Sequence, residues 1–184
     1  IKMSKSKGNV IDPIDLVDKY GADAFRASLF FGLSQGGIVN LSEDKVRGMR
    51  NFTNKVWNIG RFLWLSKQGN GKRHSELSSS RKRGSAKQIL DQVENDNNQV
   101  GNDNKTVKKL LKEFAVVKKQ YLRHMDKYEL AKALEEIYEF LWHKFADFYI
   151  EELKESLKSG NIEVLEKLKE VYTETLKLLH PFMP

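Results

Sequence analysis

Two lysines and two serines stand close together near the start of the chain, in the run Lys2, Met3, Ser4, Lys5 and Ser6. Two ammonium groups on a short loop can approach a polyphosphate, and serine hydroxyls and loop N–H groups can add hydrogen bonds. Lysine suits this chemistry because its charge sits on a flexible stem that can follow a moving phosphate. A run of five residues is about as often a solvated basic terminus. The elements around it must therefore decide between the two interpretations.

Two short helices are predicted directly behind the basic run. Asp12 followed by Pro13 favours a helix start, with Asp at the N-cap and Pro at the first helical position. Gly21 predicts the end of this helix, and a second helix is expected over about residues 22–32. A helix that begins at Pro13 would give the basic loop a rigid base.

Four long amphipathic helices are predicted in the rest of the chain. The first begins at Ser42, an N-cap residue, and carries apolar residues at steps of three and four as far as Leu63. The other three apolar stripes cover residues 107–122, 130–148 and 162–179. Asp126 is the expected cap before the second of these, and the third is expected to follow a break at Gly160 with Asn161 as its cap. Most of the polar stretch at about 66–104 is predicted to be a disordered insertion, because it cannot bury enough apolar surface to offset the entropy of ordering. A short helix is expected within it near residues 87–93. The expected fold class is mainly α, an antiparallel helix bundle preceded by the loop and short helices.

The composition narrows the classes of partner and site. The chain has 184 residues, a net charge of +7, four scattered histidines and no cysteine. The charge favours an anionic partner such as nucleic acid, although a solvated lysine-rich surface also explains it. We expect no disulfide and no metal site. No apolar run approaches the roughly 20 residues of a membrane span, and the basic start lacks the apolar stretch of a signal peptide. We therefore expect a cytoplasmic protein with no membrane partner.

A longer pattern extends the basic run. The segment KMSKSKGNVIDPIDLVDKYGADAFR, residues 2–26, resembles the KMSKS region of class I aminoacyl-tRNA synthetases over its whole length. The segment RNFTNKVWNIGRFL, residues 50–63, is similar to the first anticodon-domain helix of the valyl branch, and residues 128–151 are similar to a later helix of that domain. The final LHPFMP, residues 179–184, resembles the stretch before the family's next helix. Isoleucyl and leucyl enzymes usually lack the NFTNK-WN pattern. Residues 36–40 are a departure from the valyl branch, whose enzymes usually carry an Arg-Asp-Ile-like step after the second short helix.

The resemblance implies a reaction and its catalytic residues. In this family an amino-acid carboxylate attacks the α-phosphate of ATP, and the aminoacyl-adenylate then esterifies the tRNA 3′ end. Lys2 and Lys5 are the implied catalytic residues, because cations near the leaving pyrophosphate lower the barrier. The implied ATP-binding residues are Lys2, Met3, Ser4, Lys5 and Ser6. ATP with Mg²⁺, valine and valine tRNA are the implied substrates and partners. The family's HIGH motif and Rossmann sheet precede KMSKS and are absent from this sequence, so we expect a fragment that activates no amino acid alone.

The helix that begins at Ser42 is the expected reader of the tRNA anticodon. Its polar and aromatic residues are of the types that bind RNA loops. The predicted tRNA-binding residues are Arg50, Asn54, Lys55, Asn58, Arg61 and Phe62. Trp57 and Phe62 each remain open between core and surface.

The domain organisation follows from the same resemblance. Residues 1–41 are expected to form the KMSKS loop and stem-contact region, and residues 42–184 the helical anticodon-binding domain. The basic residues of the insertion, such as those at 81–83, are interpreted as a tolerated surface loop rather than a phosphate site. The alternatives are an isoleucyl- or leucyl-type fragment, and a non-catalytic tRNA-binding helical module.

Overall fold

The computed structural model describes residues 12–33, 39, 41–66 and 86–184, with the helical backbone alone for residues 86–100. All regular secondary structure in these residues is helical, which confirms the predicted mainly α fold. The elements are α1 (Pro13–Tyr20), α2 (Ala22–Phe30), α3 (Glu43–Leu65), α4 (Ala86–Asp126), α5 (Leu130–Glu139), a π-helical segment (Phe140–Ile150), α6 (Lys154–Ser159) and α7 (Ile162–Leu179).

The short helices α1 and α2 form where their caps predict. The Asp12 carboxylate accepts a hydrogen bond of 2.8 Å from the Ile14 N–H, and Pro13 is the first helical residue. Gly21 separates the two helices with a φ of 90°, a left-handed backbone that glycine adopts without a Cβ penalty. The pair packs on the first half of α3, so α3 supports the segment that follows the basic run.

Helix α3 buries the stripe that its sequence predicts. The Ser42 hydroxyl accepts from the Lys45 N–H at 3.3 Å and caps the helix start. The buried residues are Val46, Met49, Phe52, Val56, Ile59 and Leu63. Each large apolar side chain removed from water in this way contributes roughly 1.5–3 kcal/mol. The opposite face of α3 is thereby left to solvent.

Helices α3 and α4 stand at opposite corners of the bundle. Each packs on the π segment and on α7, which lie between them. The Tyr172 hydroxyl of α7 donates to the Val56 carbonyl of α3 at 2.8 Å. On its other side α7 reaches α4 through the pair Lys118–Glu174 at 3.0 Å. The π segment and α7 therefore separate α3 from α4.

Within the predicted insertion the structure has a helix over residues 86–104, longer than the short helix expected at about residues 87–93. Helix α4 begins at Ala86, although its apolar stripe begins at Val107. A helix already nucleated by packing can extend through polar residues, because each further residue adds a hydrogen bond without a new nucleation cost. The rest of the predicted insertion, residues 67–85, lies outside the described residues.

The long helix predicted after Asp126 is displaced and interrupted. Helix α5 begins at Leu130, because Tyr128 takes a left-handed φ of 57° in the preceding turn. It continues into the π segment, whose wider turns place an aromatic-rich stretch between α3 and α4. The predicted end at Gly160 is confirmed, with a φ of 87°, and the Asn161 side chain caps α7 by accepting from the Val164 N–H at 3.2 Å.

Candidate nucleic-acid interface

Four of the six predicted tRNA-binding residues share one exposed face of α3. Arg50, Asn54, Asn58 and Arg61 follow one another at steps of four, four and three, and all four are exposed. These steps place side chains one above another on a helix, so the four form a row about 16 Å long. The row carries two guanidinium groups and two amides, which together donate and accept hydrogen bonds. It is a surface suited to the edges of unpaired bases.

Arg50 also has a structural partner. Its Nη1 donates to the Tyr20 carbonyl at 2.7 Å, at the C-terminal end of α1, where a cation is favoured by the helix dipole. Glu43, the first residue of α3, accepts a hydrogen bond from the Tyr20 hydroxyl at 2.7 Å and forms an ion pair with Lys19. These hydrogen bonds, that from Lys19 first, lower the pKa of the Glu43 carboxyl. One N–H of Arg50 is thus engaged, while the residue as a whole stays exposed.

Lys55 and Phe62 lie beside the row rather than in it. Lys55 Nζ is 2.7 Å from a carboxylate oxygen of Asp147 and 4.3 Å from the centre of the Trp142 ring, both in the π segment. The side chain is therefore engaged in holding α3 to that segment. Phe62 is 36% exposed, seven residues further along the same side. Of the two, Phe62 presents the more accessible surface.

An apolar groove runs along the other flank of the row. It has a volume of 640 Å³, lies between α3 and α7, and is lined by Trp57, Gly60, Trp64, Tyr172 and Leu176 among others. Trp57 is 73% exposed and Trp64 is 54% exposed. Arg61, from the row, lies at the edge of the groove, and no ion pair engages it within the part of the chain that the structure describes. Row and groove together place flat aromatic rings beside hydrogen-bonding groups.

Comparisons with known proteins point to tRNA ligases. Residues 1–42 match a family model described as "tRNA synthetases class I (I, L, M and V)", and residues 107–184 match "Anticodon-binding domain of tRNA ligase". Valine–tRNA ligase of Thermus thermophilus is 36% identical over 183 residues, which is all of this chain and 18% of that protein. The enzymes of the same name from Streptococcus agalactiae and Pelagibacter ubique are 36% and 37% identical over 187 residues each, again all of this chain and 20% and 19% of theirs.

The chain belongs to the class I aminoacyl-tRNA synthetase family. It spans about a fifth of the length of the curated relatives that it matches. The KMSKS residues of this synthetase chain, Lys2, Met3, Ser4, Lys5 and Ser6, lie outside the described residues, so their predicted ATP contacts stay a prediction. In the described part of the chain no group of three acidic or histidine side chains could hold a metal ion, and no helix there is long and apolar enough to cross a membrane.

Sequence reasoning about this synthetase chain missed two exposed tryptophans. From the sequence alone Trp57 stays open between core and surface and Trp64 has no assigned role, because aromatic residues at helical spacing are more often core. Their positions carried a signal, since both fall outside the buried stripe that ends at Leu63. Their spacing of seven residues also places them on one side of α3. The stripe, once assigned, leaves them facing solvent.

Proposed function

We propose that this chain is the part of a valine–tRNA ligase that reads the tRNA anticodon through α3 and supplies the lysines of the ATP site. The exposed row on α3, with aromatic rings on its flank, is the observation that carries the proposal. The family membership and the full-length similarity to valine–tRNA ligases support it. The relatives named above are all valine–tRNA ligases, and no observation favours an isoleucyl or leucyl enzyme or a non-catalytic module.

The anticodon is read by two kinds of contact. Asn54 and Asn58 each carry an amide that both donates and accepts, so each can pair with the edge of an unstacked base. Arg50 and Arg61, at the two ends of the row, can contact base edges or adjoining phosphates. Trp57 is beside them and offers a face on which a splayed base can stack, an interaction worth about 1–3 kcal/mol per base. Phe62 extends the aromatic surface on the other flank.

The ATP site requires the rest of the enzyme. Lys2 and Lys5 would neutralise the charge that develops on pyrophosphate as it leaves, and the serines between and after them would hydrogen-bond the phosphates. ATP brings Mg²⁺ as its counter-ion. Helix α1, capped by Asp12 and held to α3 by Arg50, is the support behind these residues. Residues 1–41 and 42–184 would then serve ATP and tRNA respectively, in the cytoplasm.

The test is the binding of valine tRNA transcripts with the natural anticodon and with its middle or third base changed, at one salt concentration. The natural transcript should bind most tightly. The variant Asn54→Ala/Asn58→Ala should reduce that preference by about tenfold or more, because each lost base-edge contact costs about 1–3 kcal/mol. Thr173→Ala is the control, an exposed polar residue of α7 outside the groove. Equal binding of all transcripts to the unmodified chain would refute anticodon reading by α3.

A further inference from the structure

Positive charge is concentrated in one half of α4. Residues 105–123 contain seven lysines and arginines and a single acidic residue, Glu113, whereas residues 86–104 contain four acidic residues and one lysine. The basic half played no part in the proposals above. Its exposed members are Lys105, Lys108, Lys109, Lys112, Lys119 and Arg123.

These exposed cations form one row along the helix. Lys105, Lys108, Lys112, Lys119 and Arg123 follow at steps of three, four, seven and four, which keeps them on the same side of α4. We call them the basic row; it is about 27 Å long, and Val116 interrupts it. Lys105, Lys108, Lys109 and Lys112 line a single recess with Gly101 and Asn104.

The basic row differs from the rest of the surface in its lack of counter-charges. Outside α4, seven of the cations in the described residues pair with an acid three residues away. These pairs are Arg26–Asp23, Arg47–Asp44, Lys132–Glu129, Lys154–Glu151, Lys158–Glu155, Lys167–Glu170 and Lys177–Glu174. Within the described residues, no carboxylate pairs with any member of the basic row. Neighbouring Lys109 lies 4.9 Å from the centre of the Phe148 ring, which is itself partly exposed.

The position of the basic row separates it from the α3 face. Helices α3 and α4 occupy opposite corners, and two packed helices are about 20 Å across. An anticodon loop held on the row of α3 is therefore too far away to lie on α4. The apolar stripe of α4, which includes Leu110, Phe114 and Tyr121, is buried in the bundle. A membrane-surface helix would need that stripe free to enter lipid, so the exposed charge is better suited to a polyanion in solution.

We propose that the basic row of α4 is a second RNA-binding surface, which holds the sugar–phosphate backbone of an RNA segment other than the anticodon loop and does so without regard to sequence. Lysines without internal partners are suited to this contact, because phosphate binding does not first require an ion pair to be broken. The recess beside Phe148 gives the backbone a concave seat at one end of the row. The identity of the RNA as tRNA rests on the proposed function; the phosphate chemistry does not.

The salt dependence of binding is the quantity that this surface controls. Each phosphate neutralised by a cation releases a counter-ion and adds about 0.7–0.9 to the slope of log affinity against log salt. The variant Lys105→Gln/Lys108→Gln/Lys112→Gln should lower the magnitude of that slope by about 2–3 and weaken binding at least tenfold near 100 mM salt. The loss should be equal for a valine tRNA transcript, for its anticodon variants and for an unrelated RNA hairpin.

The matched control is Lys154→Gln/Lys158→Gln/Lys167→Gln, which removes the same charge from cations already paired on α6 and α7. Filter binding of the 184-residue chain between about 50 and 200 mM salt would measure both variants. Circular dichroism would check that both remain helical. Equal slopes for the two variants would overturn the proposal, since net charge alone would then account for RNA binding. Binding of the unmodified chain to anionic phosphatidylserine vesicles but not to the hairpin would also overturn it.

The outcome separates this inference from the proposed function. Loss of anticodon preference in the α3 variant with an unchanged slope in the α4 variant would leave the proposed function standing and remove the second surface. The reverse result would support the second surface and remove anticodon reading. A third readout is stoichiometry: a short hairpin in excess should occupy α4 while an anticodon stem-loop stays bound at α3. Competition between them for one site would contradict the proposal.

Discussion

The contact between Gly60 of α3 and Tyr172 of α7 predicts a large effect from one methyl group. A Cβ on Gly60 would lie 2.7 Å from the Tyr172 hydroxyl and 3.2 Å from two of its ring carbons. Tyr172 cannot easily move away, because it is 4% exposed and its hydroxyl donates to the Val56 carbonyl at 2.8 Å. Relief of the clash must therefore displace the ring, the hydrogen bond or the helix.

The magnitude follows from opposing terms. Overpacking of a tight core costs about 1–3 kcal/mol, and a buried hydroxyl that loses its partner costs about 1–3 kcal/mol. Alanine recovers up to about 1 kcal/mol as the better helix former. We expect Gly60→Ala to lower the free energy of unfolding by about 1–3 kcal/mol, which for a chain of this size lowers Tm by several degrees.

Two further variants isolate the cause. Gly48→Ala lies on the same helix with no atom within 4 Å of the added Cβ, so it should be neutral or stabilising by up to about 1 kcal/mol. Tyr172→Phe removes the nearest atom, so it should reduce the cost of Gly60→Ala in a double-mutant cycle. Urea unfolding followed by circular dichroism measures the unmodified chain, the three single variants and the Gly60→Ala/Tyr172→Phe double variant. A stabilised Gly60→Ala, or an equal effect of the two alanines, would refute this account of the interface.

Three other predictions concern pH, backbone strain and stacking. Hydrogen bonds, the one from Lys132 first and the one from His124 second, lower the pKa of Glu129 from 4.5 to about 2. The stability that the charged carboxylate adds is complete above about pH 4.5 and is lost as pH falls toward 2. The urea midpoint should therefore fall over that pH range, and it should fall less in Glu129→Gln. Tyr128 is 84% exposed and has a φ of 57°. Because Asn tolerates this conformation better, Tyr128→Asn should raise the free energy of unfolding by about a few tenths to 1 kcal/mol. No gain in stability relative to Tyr128→Ala would argue against strain at this residue. Trp57→Ala should weaken anticodon stem-loop binding by about 1–3 kcal/mol while unfolding changes by less than about 0.5 kcal/mol; fluorescence anisotropy would show it, and unchanged affinity would exclude stacking there.

Helix starts were predictable because their causes are local. Asp12, Ser42 and Asn161 each cap the helix that their sequence predicts, since capping needs a side-chain oxygen and the next few N–H groups alone. The buried stripe of α3 was predictable for a similar reason, as its period is that of the helix. The order of the four α3 residues on one face followed from the same spacing.

The remaining features depend on tertiary contacts that spacing cannot show. The start of α4 at Ala86 depends on packing further along the helix, and the π segment depends on neighbours on both sides. Lys55 was predicted as a tRNA contact on residue type, but its distance to Asp147 is set by the position of another helix. The unpaired state of the basic row likewise became visible once the partners of other cations were known.

The junction at Gly21 has a mechanical consequence. A glycine between two short helices is ordinarily the softest point of a chain, where α1 could swing. Here two side chains of α3 bind Tyr20, the residue just before the glycine. Glu43 accepts a hydrogen bond from the Tyr20 hydroxyl, and Arg50 donates one to the Tyr20 carbonyl. These two hydrogen bonds fix the end of α1 against α3, so we expect the two helices to move together. A displacement imposed on α3 by bound RNA would reach Asp12, at the far end of α1, as a rigid-body movement.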